Sequence, residues 1–315
     1  MENFAITGVG GFVAPRHLKA IYDTGNCLTA ALDPKDSVGL LDRYSFNTRF
    51  FTEYERFDRH LEKLRRGPEE ERVHFLSICA PNYLHDAHCR LALRIGANAI
   101  CEKPLVINPW NLDALQALES ELSGRIYTVL QLRLHPKLLE LRRQLSQEAT
   151  RQQHEVTLTY ITARGHWYHS SWKGDLEKSG GIATNIGIHL FDLLLWLFGE
   201  AGDCQVFYSH PERMSGFLEL EQAKVRWFLS IDADDLPFPV EPGKRSTYRS
   251  ITIDGQEVEF TEGFTDLHTR VYEETLAGRG FGIEAARPSV NLVQRIRQAP
   301  ILSTNSLAHP MLQRK

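Results

Sequence analysis

The chain is short of cysteine, of long hydrophobic runs and of net charge, and each shortage narrows what it can be. Its five cysteines, Cys27, Cys79, Cys89, Cys101 and Cys204, are odd in number and lack C-x-x-C spacing. That argues against a disulfide framework and a cysteine zinc site, and no metal centre is expected. The longest apolar run, residues 190–198, is too short to span a bilayer, and the chain enters a strand-like Asn3–Thr7 with no charged leader. A cytoplasmic protein with no membrane partner is expected. A formal net charge of -4 with no basic run gives no footing for nucleic acid. What remains is an ordinary globular composition, 42% hydrophobic and 24% charged, over 315 residues. That is more chain than one core usually supports, so two domains are expected, at 1–125 and 126–315.

Residues 179–199 form the most distinctive stretch, SGGIATNIGIHLFDLLLWLFG. A glycine pair opens it, and an almost wholly apolar helix of about four turns follows, which must be buried. Asn185, His189 and Asp192 stand at i, i+4 and i+7, on one face of that rod. Burying three polar side chains costs about 1–3 kcal/mol each unless each is partnered. They are therefore either an internally satisfied cluster or part of a reaction site.

The first part of the chain alternates strand and helix signals. A short strand ends in Gly8-Val9-Gly10-Gly11-Phe12-Val13, and a helix follows from Ala14-Pro15. Such a turn lets a backbone approach a pyrophosphate held at a helix N-terminus. A second strand over 28–32 ends in Asp33, 25 residues after Gly8, where a carboxylate accepts from ribose hydroxyls and repels a 2′-phosphate. NAD is thus favoured over NADP, against an Asp-Pro helix start as the plainer explanation of Asp33. Further strands over 73–78 and 97–101 end in Ala80-Pro81-Asn82 with His85, and in Glu102-Lys103-Pro104. In a doubly wound parallel sheet such strand ends share one crevice.

Gly8-Val9-Gly10-Gly11, Asp33, Ala80-Pro81-Asn82 with His85, Glu102-Lys103-Pro104, and Gly180-Gly181 with Asn185 and His189 resemble the glucose-fructose oxidoreductase / inositol dehydrogenase (Gfo/Idh/MocA) family, from Phe4 to about Arg297. Within it the chain is similar to bacterial UDP-N-acetylglucosaminuronic acid 3-dehydrogenases of lipopolysaccharide O-antigen sugar synthesis. That finer likeness rests on Ala14-Pro15-Arg16-His17, Arg164-Gly165-His166-Trp167-Tyr168, Ser171-Trp172-Lys173-Gly174 and residues 179–189. The family usually carries Asp where this chain has Asn185, so an Asp–His proton relay is not implied here.

The second part returns as strands over 127–132, 154–162, 206–209, 217–221, 224–231, 248–253 and 256–260, with helices over 136–148, 264–278 and within 283–298. Thr150 to Gln153 reads as a polar break and residues 234–243 as a proline-rich loop. A largely antiparallel open sheet of an α+β domain follows. Trp227, Leu229 and Ile231 alternate along one strand, and an apolar face there points to a homo-oligomer, a dimer or tetramer.

The expectation is an α/β protein with an N-terminal Rossmann sheet, oxidising a secondary hydroxyl. The resemblance implies NAD on Gly8, Gly10, Gly11, Phe12, Val13, Asp33, Ala80, Asn82, His85, Glu102, Lys103 and Gln131. It implies a UDP-sugar acid on Arg133, Arg164, Tyr168, Trp172, Lys173, Asn185 and His189, leaves open whether 2-oxoglutarate is a second substrate, and implies a C-terminal helix within 283–298 that packs back on the first domain. His189 takes the proton, Lys103 polarises the oxygen and Asn185 orients the sugar, the first two roles being exchangeable. A free-sugar or cyclitol dehydrogenase and a non-catalytic NAD-binding regulator are the alternatives.

Overall fold

The computed structural model describes residues 1–147, 153–240, 246–258, 260 and 266–312. Glu148, residues 150–152 of the polar break, Pro242 and Gly243 of the proline loop, Phe264 and residues 313–315 lie outside the described residues. The chain divides into two compact units, Met1–Leu134 with Thr265–Arg287, and His135–Phe264 with Pro288–Lys315.

In the first unit, strands β1 (Asn3–Thr7), β2 (Cys27–Leu32), β3 (Arg49–Phe51), β4 (Phe75–Ile78), β5 (Asn98–Cys101) and β6 (Ile126–Thr128) form one parallel sheet in the order β3-β2-β1-β4-β5-β6. This is the dinucleotide-binding order, with its switch point between β1 and β4. Helices α1 (Ala14–Asp23), α2 (Tyr54–Arg65), α3 (His85–Arg94) and α4 (Pro109–Glu121) alternate with the strands. Phe4, Ile6, Leu76, Ile78, Ala99 and Ile100 are buried, as strands covered on both faces require. The expected strand over 127–132 is shorter: it stops at Thr128, and Gln131–Leu134 closes into a 3-10 turn.

The second unit holds α5 (Pro136–Gln147), β7 (His154–Thr162), α6 (Trp167–Ser170), α7 (Leu176–Ser179), α8 (Ile188–Phe198), β8 (Ala201–His210), β9 (Arg213–Leu220), β10 (Ala223–Ser230), β11 (Thr247–Ile253) and β12 (Gln256–Glu257). Its sheet runs β12-β11-β7-β10-β9-β8, antiparallel except that β7 and β10 are parallel. Leu176–Phe198 has the length and composition of a membrane span, yet 72% of its most apolar window is buried. It is a core element, and Gly180 and Gly181 interrupt it at φ +79° and +74°.

The apolar face expected to drive self-association is already covered. Trp227 and Leu229 are fully buried and Ile231 nearly so, with Phe191 of α8 meeting Trp227 edge-on at 5.4 Å. On the opposite face the C-terminal tail does the covering. His309 stacks on Phe228 at 5.5 Å and bonds the Thr159 hydroxyl at 3.1 Å, while Ala308 packs with Phe207 and Phe217.

The segment after the second sheet returns to the first unit. Helix α9 (Leu267–Leu276) is counted there, and Tyr272 stacks on Phe4 at 5.7 Å. Helix α10 (Ile283–Gln298) passes from one unit to the other at Arg287 and Pro288.

Candidate functional site

The glycine turn is shaped by the strand beside it. Gly8 has φ +75°, and a Cβ there would lie 2.6 Å from the backbone of Cys79 and Ala80, so no larger residue fits. The Gly10 N–H donates to Asp33 Oδ2 at 2.9 Å, and the Lys35 N–H donates to Oδ1 at 2.9 Å. The carboxylate is thereby fixed at the end of β2, beside the turn. Val13 precedes α1 without a side-chain cap, the Ala14 N–H donates to Gly11 O at 3.3 Å and the Arg16 N–H to Val13 O at 3.0 Å, and Phe12 is 88% exposed. Ala80 and Asn82 are buried at the end of β4. Gln131 adds a buried amide oxygen with no hydrogen-bond partner among the described residues. A close-approach turn, a pinned carboxylate and an orphaned acceptor fit a dinucleotide.

Three expected ligand residues are engaged elsewhere. His85 is 1% exposed, and its ring spans two backbone carbonyls, Nδ1 to Pro104 O at 2.7 Å and Nε2 to Ala80 O at 2.8 Å. Both ring nitrogens are thereby taken up by the backbone. Glu102 is likewise turned inward: Oε1 accepts from His17 Nε2 at 3.0 Å and from His268 Nε2 at 2.9 Å, and Oε2 from the Lys103 N–H at 3.3 Å. Arg133 Nη2 donates to Ala285 O at 3.0 Å, and its guanidinium lies 5.6 Å from the Phe281 ring, so part of its binding capacity is spent on the fold rather than on substrate.

The Glu102 cluster continues inward. His17 Nδ1 meets the Tyr272 hydroxyl at 2.8 Å, and that hydroxyl meets Ser77 Oγ at 2.6 Å. Burial alone would raise the Glu102 pKa, but the His17 and His268 hydrogen bonds outweigh it and hold the carboxyl well below its ordinary range. Burial lowers the pKa of His17, and a neutral His17 accepts from Tyr272 O–H while donating to Glu102. The ligand-type atoms of His17, Glu102 and His268 lie within 4.8 Å of one another. In this fold they bond to each other. Sequence reasoning quoted His17 without a role and passed over His268 and Tyr272. Nothing in an amphipathic helix pattern distinguishes a partnered buried His from a surface one.

In the second unit, five residues of α-helical wall are replaced by a π-turn, Ala183–Gly187, which runs into α8. Asn185 and His189 are partly exposed where their helical neighbours are buried, whereas Asp192 is only 2% exposed. Asn185 Nδ2 donates to the Tyr168 hydroxyl at 3.1 Å, and burial raises the pKa of that phenol, keeping it protonated. His189 stands edge-on to Tyr160 at 5.5 Å, and Arg249 lies 5.4 Å over the same Tyr160 ring. Arg249 was missed, since alternation along β11 marks a face but not its occupant. In the loop from Arg164, Lys173 Nζ sits 4.5 Å from the Trp172 ring centroid and 5.7 Å from that of Trp167. Arg164 is exposed and its backbone N–H donates to Ile231 O at 2.9 Å. Asn185, His189, Tyr168 and the loop with Trp172 and Lys173 thus belong to the second unit, while Lys103 and the glycine turn belong to the first.

Comparison with known proteins places this geometry. The chain is similar to the WlbA (WbpB) dehydrogenase of Thermus thermophilus, crystallised with NAD and alpha-ketoglutarate, at 52% identity over 98% of this chain and 99% of that chain, TM-score 0.93. The same enzyme crystallised with NAD and UDP-GlcNAcA matches at 51% identity over 98% and 99%, TM-score 0.92. Curated relatives align over little more than a third of their length. One, a provisionally named UDP-kanosamine synthase oxidoreductase subunit of Amycolatopsis mediterranei, is 33% identical over 130 residues, 41% of this chain and 36% of its own. Residues 2–130 match the model of the oxidoreductase family's NAD-binding Rossmann fold, and residues 152–238 that of its C-terminal alpha/beta domain. The chain therefore belongs to the Gfo/Idh/MocA oxidoreductase family.

Proposed function

We propose that the protein oxidises a secondary hydroxyl, that of C3, on UDP-N-acetylglucosaminuronic acid, using NAD. The observation that carries this reading is the full-length likeness, above half identity, to an enzyme crystallised with NAD and with that nucleotide sugar. The glycine turn at Gly8, Gly10 and Gly11 with Phe12 and Val13, the pinned Asp33, and Ala80, Asn82 and Gln131 hold the dinucleotide. Bound NAD supplies the hydride acceptor. His189 takes the hydroxyl proton, Lys103 donates to the oxygen as it becomes a carbonyl, and Asn185, braced by Tyr168, orients the sugar. The acid and base roles of Lys103 and His189 are exchangeable within this scheme. Arg164 and Lys173 hold the anionic parts of the substrate, Lys173 from its seat on Trp172. The related structure with alpha-ketoglutarate supports 2-oxoglutarate as the second substrate, reduced to the 2-hydroxy acid as NAD is restored. Cytoplasmic synthesis of lipopolysaccharide O-antigen sugars is the setting proposed for this chemistry, and a dimer or tetramer the assembly.

Incubation of the purified protein with NAD, 2-oxoglutarate and, in parallel, UDP-N-acetylglucosaminuronic acid, the free sugar acid or myo-inositol tests this. A keto product from the nucleotide sugar alone is expected. Turnover of the free sugar or the cyclitol at equal rate would overturn the nucleotide-sugar assignment.

A further inference from the structure

We propose that His85 is a buried imidazolium that clamps the backbone on either side of the crevice floor and so positions Lys103. The argument begins with acceptors. A backbone carbonyl oxygen has no proton to give, and the His85 ring meets two of them, Pro104 O at 2.7 Å and Ala80 O at 2.8 Å. A neutral imidazole carries one N–H, so one carbonyl would face a nitrogen lone pair at hydrogen-bond distance. That leaves a buried acceptor unpaired and two lone pairs opposed, which is unfavourable. With both nitrogens protonated, both contacts are hydrogen bonds.

Burial works against the charge and sets the net direction of the His85 pKa downward, while the two carbonyls and Glu102 push it up and Lys103 pushes it down. The two-acceptor geometry decides for the charged ring, because burial of the neutral ring does not remove the carbonyls. The charged and titratable groups around it are Glu102 and Lys103 from the segment after β5, and His88 from its own helix. Glu102 is the countercharge: it is held ionised from behind by His17 and His268. The charge of His85 in turn helps keep His88 neutral.

The clamp joins the residue after β4, Ala80, to the residue after Lys103, Pro104. On the other side of Lys103, Glu102 is tied to His17, His268 and the Lys103 N–H. Lys103 therefore sits between two backbone points fixed by opposite buried charges. His85 is a positioning residue here, touching neither substrate nor cofactor.

The test reads the protonation state directly. In the holoenzyme with NAD, ¹⁵N-histidine NMR from about pH 6 to about pH 8 is expected to show both His85 ring nitrogens protonated throughout, the signal being assigned by its loss in His85→Gln. A neutral single-tautomer signature at pH 7 overturns the proposal, whatever the variant does. The positioning half rests on the role of Lys103 given above. His85→Gln is expected to lower kcat by about ten- to a hundredfold with NAD affinity unchanged, the size of loss that small misplacements cause. An unchanged kcat overturns the positioning role while leaving the dehydrogenase reading intact, since wild-type turnover tests that separately.

Discussion

Asp33 accepts two backbone hydrogen bonds, from Gly10 and Lys35, and is 8% exposed, so its carboxylate is fixed at the end of β2 before any ligand arrives. Removing it acts on cofactor choice and on the turn together. Asp33→Ala is expected to weaken NAD binding and to relieve the repulsion of NADP, measured as the ratio of the two dissociation constants. A wild-type preference for NADP would refute the assignment. His189→Asn and Lys103→Met are each expected to lower turnover by about 10²–10⁴-fold with NAD affinity largely kept, the range of general acid–base assistance. Near wild-type turnover in both would refute their roles. His189 and Lys103 are singled out by sequence because polar side chains in apolar surroundings and at strand ends attract attention. Glu102 and His85 were legible as important residues but not as inward-facing ones, since sequence does not show which way a side chain turns after a strand.

At the scale of elements, α3 shows how one buried titratable group sets acid behaviour. His88 bonds the Thr7 hydroxyl at 2.9 Å and stacks on Tyr54 at 5.4 Å. Burial, then the charge of His85, lowers its pKa from 6.5 to about 4. The unfolded chain takes up the proton first as pH falls, so stability present above about pH 6.5 declines as pH falls towards 4, by about 3 kcal/mol. Urea denaturation across that window should show the slope, and His88→Phe should flatten it. An equally steep slope in the variant would count against His88. The parallel sheet was readable because β1, β4 and β5 are apolar runs closed by turn residues. Other elements were not. Strand β3 has three residues, too few to carry a period, and α4 buries only Leu112 and Leu115 fully. The π-turn at Ala183–Gly187 is a departure that a straight-helix face drawn through Asn185, His189 and Asp192 does not show, and Asp192, three residues beyond His189 in regular helix, ends in the core. The parallel pairing of β7 with β10 depends on chain routing that alternation does not encode.

For the whole molecule, the order of the chain is not the order of the units: Thr265–Arg287 returns to the first, and the tail closes the second sheet. A division at residue 125 does not show this by itself; the resemblance implied a returning helix within 283–298, while α9 carries its reason in Tyr272 and His268, whose partners lie far away in sequence. Ending the chain at residue 300 would uncover Phe207, Phe217 and Phe228. The expected loss is on the order of 3 kcal/mol in urea denaturation, from the apolar area returned to water. An unchanged midpoint would show that the tail contributes nothing. The covered Trp227 face removes the sequence-level argument for self-association, so light scattering at micromolar concentration decides the dimer or tetramer on its own. The central claim is that hydride leaves C3 of a UDP-sugar acid for NAD. Mass spectrometry of a reaction on UDP-N-acetylglucosaminuronic acid deuterated at C3 tests it most directly: deuterium should appear in the reduced cofactor, or in 2-hydroxyglutarate when 2-oxoglutarate is present, and deuterium retained in an oxidised sugar would contradict it.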